Sequence, residues 1–262
     1  MTALKMKKAL EAKPLGRIIT VISGKGGVGK STFSANTATY LAKIGKKVLL
    51  VDADMNLSNL DMIMGIQDQV LFNASDVING RCDSKKAIMK NVFDGLDFLS
   101  GAITVGDDPT IAVNGICELL KKIKNDYDII LIDCPSGIDL TVRALAKISN
   151  ASVVITTPDI TAIRDAGRAA ALIYGEKNND VRLVVNRIKP KLIEKGLAPD
   201  IDEIIDNTEV RLLGLIPEDV KIQVYSNRGI LTPDIKKSRS AKAFENIAER
   251  ITGNEVPLYK FW

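Results

Sequence analysis

Short apolar runs alternate with longer segments of helical periodicity along most of this chain. The runs contain almost no polar residues, as expected for strands that are buried on both faces of a sheet. They lie at residues 18–22, 48–51, 96–99, 129–132, 153–155, 183–185 and 212–216. The intervening segments favour helices at 30–44, 110–124, 139–149, 161–175 and 238–251. This alternation predicts an α/β fold, with a mostly parallel sheet of seven to eight strands and helices on both faces.

The length and composition favour one globular domain. The chain has 262 residues without a low-complexity linker or internal repeat. We expect a domain over 16–253, preceded by a basic extension at 1–15 and followed by a tail at 254–262. The extension is interpreted as a frayed terminus, with a short amphipathic helix as the alternative. No apolar run approaches the roughly 18 residues of a transmembrane helix.

Histidine is absent from the chain, which restricts its chemistry. A catalytic triad and the zinc sites that use histidine are excluded. The three cysteines, at 82, 117 and 134, are widely spaced, which is typical of buried free thiols in a reducing compartment. The net charge of +4 is too small to indicate nucleic-acid binding by itself. The chemistry must therefore depend on carboxylates, lysines, hydroxyls, backbone amides or a bound metal.

A glycine-rich loop directly follows the first predicted strand and precedes a predicted helix. Its residues are Gly24, Lys25, Gly26, Gly27, Val28, Gly29, Lys30, Ser31 and Thr32. The segment 24–31 fits the phosphate-loop pattern G-x-x-x-x-G-K-[ST]. Lys30 is expected to reach the β- and γ-phosphates of a nucleotide, and Ser31 to bind magnesium. The context predicts a P-loop NTPase fold.

The second lysine of this loop gives it a more specific resemblance. The loop with Lys25 resembles the deviant Walker A motif of the MinD/ParA family of ATPases, and the resemblance extends over about residues 17–253. In that family the extra lysine reaches the nucleotide of a partner subunit. The resemblance therefore implies an ATP-dependent homodimer in which Lys25 is catalytic.

Aspartates follow two of the predicted strands. Asp52 and Asp54 end the second run, and Asp133 ends the run at 129–132. An apolar strand that ends in Asp is typical of the magnesium-binding carboxylate of phosphate-loop enzymes. By resemblance, Asp54 positions the attacking water, Asp52 belongs to the magnesium shell and Asn59 lies near the phosphates. A second switch region is expected at Pro135, Ser136 and Gly137.

The residues after two later strands favour ATP over GTP. Asn186 and Arg187 follow the run at 183–185 without the N-K-x-D pattern of guanine recognition. An Asn can pair with the edge of adenine, and an Arg can stack on a base. The family carries this Asn-Arg pair at its adenine pocket, and Pro217, Glu218 and Asp219 resemble the other wall.

Several stretches resemble the branch of the family that places the division site. They are 59–65, 76–82, 157–166, 186–190 and 227–229. This branch implies a cytoplasmic ATPase that becomes peripheral on the inner face of the membrane with ATP and recruits a cell-division inhibitor or another polar-placement protein. The chain departs from the branch at its end, where Pro257 opposes the usual amphipathic helix. A short tail remains as a possible membrane contact, with a tail packed on the body as the alternative; its apolar residues are Leu258, Tyr259, Phe261 and Trp262.

Three other functions remain open. A flagellar-number ATPase of the same family usually carries an N-terminal D-Q-A-x-x-L-R motif, which residues 1–16 lack. A ParA-like DNA-partition ATPase needs a basic patch, and the candidate cluster is Lys236, Lys237, Arg239 and Lys242. A charge run of this kind is usually a solvated face, which argues against nucleic acid as a partner. A nucleotide-binding scaffold without turnover is the fourth possibility.

Overall fold

The computed structural model describes residues 16–54, 59–101, 109–175, 180–235 and 237–261. Its strands form one eight-stranded sheet. They are β1 (Arg17–Ile22), β2 (Val48–Asp52), β3 (Met89–Phe93), β4 (Leu96–Ser100), β5 (Ile129–Asp133), β6 (Ala151–Thr156), β7 (Asp180–Ile188) and β8 (Arg211–Pro217). Each of the seven apolar runs is a strand, so the predicted α/β class is confirmed.

The strand order is β3-β4-β2-β5-β1-β6-β7-β8. All neighbours are parallel except β3, which pairs with β4 in an antiparallel hairpin. In the centre, Asp52 of β2 is opposite Asp133 of β5. The parallel pairing brings the carboxyl ends of β1, β2 and β5 to one edge of the sheet, where ligand sites of open α/β sheets lie.

The helices of the described residues include the five that periodicity predicted. The long ones are α1 (Lys30–Lys43), α5 (Pro109–Ile123), α6 (Leu140–Ile148), α7 (Ile160–Tyr174) and α11 (Ala241–Ile251). The short ones are α2 (Leu60–Met64), α3 (Ala74–Ile78), α4 (Ser84–Ala87), α8 (Pro190–Glu194), α9 (Ile201–Thr208) and α10 (Val220–Ser226). The predicted start of the last long helix at 238 is wrong, because Ser238 and the backbone of residues 239 and 240 hydrogen-bond to Asp219 instead.

Alternate residues of each central strand enter two separate cores. Ile18 and Ile22 of β1 pack in a cluster with α5, α6 and α7. Ile19 and Val21 pack in a second cluster with α1 and α11. The strands are apolar on both faces because each face is covered by helices.

The structure also describes the surroundings of the three cysteines and the length and apolar character of the helices. Cys117 and Cys134 are buried, Cys82 is half-buried, and none of the three forms a disulfide. Burial raises the pKa of the Cys134 thiol well above its usual range. Among the described residues, no helix combines the length and apolar character needed to cross a bilayer.

Candidate functional site

A cavity of about 330 Å³ lies at the carboxyl edge of the sheet, between the glycine-rich loop and the segments that follow β2 and β5. It brings together loop residues with Asp54, Asn59, Ser136 and Arg187. The loop contributes Ser23, Gly26, Gly27, Gly29, Lys30, Ser31 and Thr32. Residues distant in the sequence therefore meet at the edge that parallel topology predicts.

Close packing explains two of the loop glycines. A Cβ on Gly24 would lie 2.2 Å from the carbonyl oxygen of Asp165 in α7. Gly29 has φ +93°, and a Cβ there would lie 2.4 Å from Nδ2 of Asn186. Only glycine fits both the conformation and the space at position 29. Between them Val28 is buried and anchors the loop, while Gly26 and Gly27 are exposed to the cavity.

Lys30 forms a buried ion pair in this conformation. Its Nζ lies 3.0 Å from Oδ1 of Asp133, and the two side chains are 8% and 1% exposed. The hydroxyl of Ser34 donates to the same oxygen at 2.8 Å. Asp133 does not itself line the cavity. The carboxylate therefore compensates the charge of Lys30 below the cavity floor.

Lys25 points to a different acid, outside the cavity. Its Nζ lies 2.7 Å from the hydroxyl of Thr161 and 3.4 Å from Oδ1 of Asp159, at the start of α7. The hydrogen bond from Thr161, followed by the backbone N–H of Ala162 and by Lys25, lowers the pKa of Asp159 to about 2. Lys25 is 47% exposed and does not line the cavity of its own chain.

The two acids after β2 have different environments. The carboxylate of Asp52 is buried and accepts the backbone N–H groups of Asp54 and Leu60. Asp54 is half-buried and lines the cavity. Residues 55–58, which follow Asp54, lie outside the described residues. The structure thus places Asp54, and not Asp52, at the cavity surface.

Of the three expected switch residues after β5, Ser136 lines the cavity. Ser136 is exposed beside Gly26, and its Oγ would be 3.8 Å from a Cβ on that glycine. Pro135 precedes it, and the backbone N–H of Gly137 donates to the carbonyl of Ser23 at 2.9 Å. Gly137 has φ +92°, a conformation that glycine adopts without strain. This hydrogen bond ties the segment after β5 directly to the glycine-rich loop. Asn59 begins α2 and lines the opposite wall.

The cavity fits a nucleotide phosphate group. The N-cap position of α1 is Gly29, which has no side chain to accept the first backbone N–H groups, and in the described residues these groups face the cavity. The hydroxyl of Ser23 is buried and has no hydrogen-bond partner among the described residues. A phosphate oxygen would satisfy these donors. Since Mg²⁺ usually keeps several waters and is bound through substrate phosphates and one or two protein oxygens, the hydroxyl of Ser31 fits its coordination. Among the described residues there is no cluster of three acids or thiols that forms a metal site alone.

Asn186 contacts the loop itself. Its Nδ2 donates to the carbonyl of Val28 at 2.9 Å, and its Oδ1 accepts the backbone N–H of Arg187. Arg187 has φ +55° and an exposed side chain that lines the cavity. In this conformation Asn186 fixes the loop, and Arg187 is the member of the pair that lies at the surface of the cavity.

The opposite wall of the expected base pocket is held by its own contacts. Pro217 is buried at the end of β8, and the exposed Glu218 pairs with Lys189 at 3.1 Å. Burial alone would raise the pKa of Asp219, but hydrogen bonds from Ser238 and from backbone N–H groups lower it. Asp219 therefore stabilises the start of α10 and the loop before α11.

The tail is packed on the body up to residue 261. Tyr259 contacts the core cluster of α1 and α11, while Phe261 contacts the other cluster. Their rings meet edge to face with centroids 5.1 Å apart. Leu258 is half-buried, and Trp262 lies outside the described residues, as do 1–15 and Lys236.

Sequence reasoning missed three residues of this site: Ser23, Asp159 and Thr161. Ser23 precedes the loop pattern, and only its burial without a partner marks it. Asp159 follows β6 directly, so its position at a strand end was the available signal. Its contact with Lys25 depends on the neighbouring order of β1 and β6, which the sequence did not give.

Comparisons with known proteins agree with the fold. A family model described as "ParA: NUBPL iron-transfer P-loop NTPase" matches residues 15–252. The septum site-determining protein MinD of Bacillus subtilis is 40% identical over 93% of this chain and 92% of its own. The MinC:MinD cell division protein complex of Aquifex aeolicus superposes with a TM-score of 0.85 at 32% identity, over 94% of this chain and 100% of that one. MinD of Pyrococcus horikoshii, solved with Mg-ADP, gives a TM-score of 0.75 at 29% identity, over 90% and 95%.

Proposed function

Because the chain belongs to the MinD family of septum site-determining ATPases, a branch of the ParA group of P-loop NTPases, we propose that its ATPase activity controls division-site placement. ATP binding drives formation of a homodimer, the dimer contacts the membrane, and hydrolysis reverses both. The observation that carries this proposal is the position of Lys25. A phosphate-loop lysine that does not line its own cavity is available to the nucleotide of a second copy.

The residues of the cavity have distinct proposed roles in phosphoryl transfer. The backbone N–H groups of the loop and of α1 hold the phosphates, and Lys30 exchanges Asp133 for phosphate oxygens. Asp54 orients the attacking water from the cavity wall. Phosphoryl transfer depends mainly on such positioning and charge stabilisation, so no general base with a raised pKa is required.

Magnesium has a defined place in this scheme. Ser31 would supply a hydroxyl ligand, and Asp52 and Asp133, which are buried and do not line the cavity, would orient water bound to the ion. When bound, the ion neutralises charge on the β- and γ-phosphates. The proposed adenine contacts are stacking by Arg187 and a wall at Pro217, with Asn186 holding the loop beneath.

Lys25 completes the site only after it leaves α7. Its contacts with Asp159 and Thr161 are exposed, and exposed ion pairs stabilise weakly. A partner's phosphates offer a stronger charge-assisted contact in a closed interface. The added cation stabilises the transition-state charge, as an arginine finger does. Hydrolysis thus becomes dependent on the dimer.

The test compares molecular mass and phosphate release with ATP and with ADP. We expect a dimer with ATP only, and loss of both dimer and turnover in Lys25→Ala. Lys121→Ala is the matched control, because Lys121 is a comparably exposed lysine whose ion pair among the described residues is with Glu118 in α5. The proposal would be contradicted if the wild type stayed monomeric with ATP and Lys25→Ala hydrolysed ATP at the wild-type rate.

The tail is the proposed membrane contact. Tyr259 and Phe261 are each only half-buried, so their release exposes limited core surface. Aromatic side chains next to Lys260 have the composition of an interfacial anchor. One tail is weak, but a dimer presents two and gains avidity.

Co-sedimentation with anionic liposomes tests this role. The wild type is expected to sediment with ATP and to stay in solution with ADP, while deletion of 258–262 abolishes binding without changing dimerisation. Equal binding by the deletion variant would refute the role of the tail.

The proposed protein partner is a cell-division inhibitor of the MinC kind, by similarity to the MinC:MinD complex of Aquifex aeolicus. The basic cluster gives less support to a DNA-partition role. Within its described part, Lys242 pairs with Glu245 at 2.9 Å. Filter binding with nonspecific DNA at varied salt tests that alternative, since phosphate contacts make affinity fall steeply with salt.

A further inference from the structure

A second cavity lies at the end of the sheet opposite the glycine-rich loop. Its volume is about 550 Å³, within the range of about 300–1,000 Å³ that is usual for small-molecule sites. The first residues of β1, β6, β7 and β8 form its floor, and residues 253–257 cross it as a strap. No residue of the nucleotide cavity lines it.

The floor of this cavity is apolar. Ile19, Val153, Leu213 and Ile251 line it and also belong to the buried core, with exposures of 7% or less. Val256 of the strap adds a half-buried apolar side chain from above. An occupant with an apolar part would bury its own apolar surface against these side chains.

Three arginines supply the polar part of the lining. Arg17 donates to the carbonyl of Ile251 at 2.8 Å, and Arg250 donates through Nη1 to the carbonyl of Val256 at 2.8 Å. Nε of Arg250 is buried and has no partner among the described residues. Arg182 pairs with Asp180 at 2.8 Å.

The charges of the lining favour an anion. With Asp180 neutralising Arg182, the remaining charges of the lining that the structure describes are those of Arg17, Arg250 and the exposed Glu255. Guanidinium groups match the geometry of phosphate and carboxylate oxygens. A buried Nε–H without an acceptor costs free energy that an anionic oxygen would recover.

We propose that this cavity binds an anionic amphiphile, with a phosphate or carboxylate head at Arg250 and Arg17 and a short apolar chain on the floor. The hydrogen bond from Arg250 to Val256 places the strap directly over the head group. The strap leads into residues 258–262 at the end of the tail, so an occupant would hold the start of this segment on the body.

Calorimetry of the full chain with decyl phosphate below its micellar concentration tests the proposal. Saturating Mg-ADP is present throughout, so that the nucleotide cavity does not take the phosphate. We expect one decyl phosphate per chain, bound about tenfold or more tighter than inorganic phosphate because of the apolar floor. Equal affinity for the two probes, or no saturable binding of decyl phosphate, would overturn the proposal.

Three variants locate the binding. Val256→Asp places a carboxylate over the head group, and Arg250→Lys removes the Nε–H while keeping the charge; each should weaken binding about tenfold. Arg168→Gln, at an exposed arginine of α7 outside the cavity, should bind as the wild type does. Unchanged affinity in both cavity variants would place the ligand elsewhere.

A truncation after Pro257 separates this site from the proposed membrane contact. The lining ends at residue 257, so the truncated chain should still bind decyl phosphate even though it is expected to lose liposome binding. Loss of decyl phosphate binding on truncation would assign the amphiphile to the tail and refute the cavity. Intact liposome binding after truncation would instead refute the tail's role alone.

Discussion

The buried pair of Lys30 and Asp133 gives the most direct test of the site. Asp133→Asn keeps the shape and an acceptor for Ser34 but removes the charge that compensates Lys30. At 3.0 Å and an effective dielectric constant of about 20, the Coulomb energy of such a pair is about 5 kcal/mol. Removing one partner of a buried pair costs about 3–5 kcal/mol in measured cases. We therefore expect the free energy of unfolding to fall by about that amount.

Guanidinium and thermal unfolding without nucleotide measure this loss. A change of 3–5 kcal/mol corresponds to a fall in Tm of roughly 6–20 °C for a domain of this size. The matched controls are Lys30→Met and the double variant, which together form a cycle. A loss below about 1 kcal/mol in Asp133→Asn, or a strictly additive cycle, would refute the argument that the pair is coupled.

Nucleotide binding to the same variant distinguishes two roles of Asp133. If Asp133 only competes with phosphate for Lys30, Asp133→Asn should bind ADP more tightly with and without magnesium. If Asp133 also orients water bound to the metal, as proposed, Asp133→Asn should bind ADP more tightly than the wild type in EDTA but more weakly in excess magnesium. Calorimetry in both buffers decides between the two roles. If the ratio of ADP affinities between Asp133→Asn and the wild type is the same in EDTA and in excess magnesium, the metal role is excluded.

Three further predictions concern the loop and its partners. Asp159→Asn preserves the helix cap but weakens the hold on Lys25, so it should lower the ATP concentration for half-maximal dimerisation by a few-fold in light scattering; an increase would contradict the proposed release. Gly29→Ala should reduce ADP affinity about tenfold or more, because the new Cβ would meet Asn186. Gly45→Ala is its control, since Gly45 has φ +85° and open space around a Cβ. This control should lose about 1–3 kcal/mol of stability through backbone strain and keep its ADP affinity. Stability should change by less than about 1 kcal/mol between pH 6 and 8, because no histidine is present. It should fall as acid takes the pH from about 4 toward 2, because the lowered pKa of Asp159, about 2 in the folded chain, makes a contribution that is full above the unfolded pKa and is lost over that range. A transition near pH 6.5 in chemical denaturation would contradict this.

The central sheet was predictable because its strands are buried on both faces and are apolar throughout. β3 was not, because Lys90 and Asn91 are exposed on an antiparallel edge strand and resemble a loop in composition. The short helices α8 and α9 were missed for a related reason. They have five and eight residues, which are too few to show a clear helical period of apolar positions in the sequence. The central strands and the long helices are therefore encoded locally, whereas the strand order and the edge elements depend on tertiary contacts.

The site divides in the same way. The glycine-rich loop and the strand-end acids were identifiable because backbone conformation and strand position restrict those residue types. The partners of their side chains were not, since Asn186 reaches Val28 across 158 positions of the chain. In this conformation the side chain of Asn186 holds the loop, and its predicted contact with adenine stays a prediction. Residue identity thus indicated which groups gather at the cavity, and only the fold shows which of them already have partners.

Both loop lysines are compensated by acids of their own chain, and this has a consequence for the proposed cycle. Lys30 is held by a buried carboxylate, so its release requires a ligand that supplies equal charge inside the cavity. Lys25 is held by an exposed carboxylate with a pKa of about 2, so protonation does not release it near neutral pH. Lys30 lines the cavity and Lys25 does not, so in the proposed cycle the phosphates of the chain's own nucleotide would meet Lys30 alone. The proposed nucleotide binding and dimerisation would therefore be separate charge exchanges, and the second would need the phosphates that a partner copy provides.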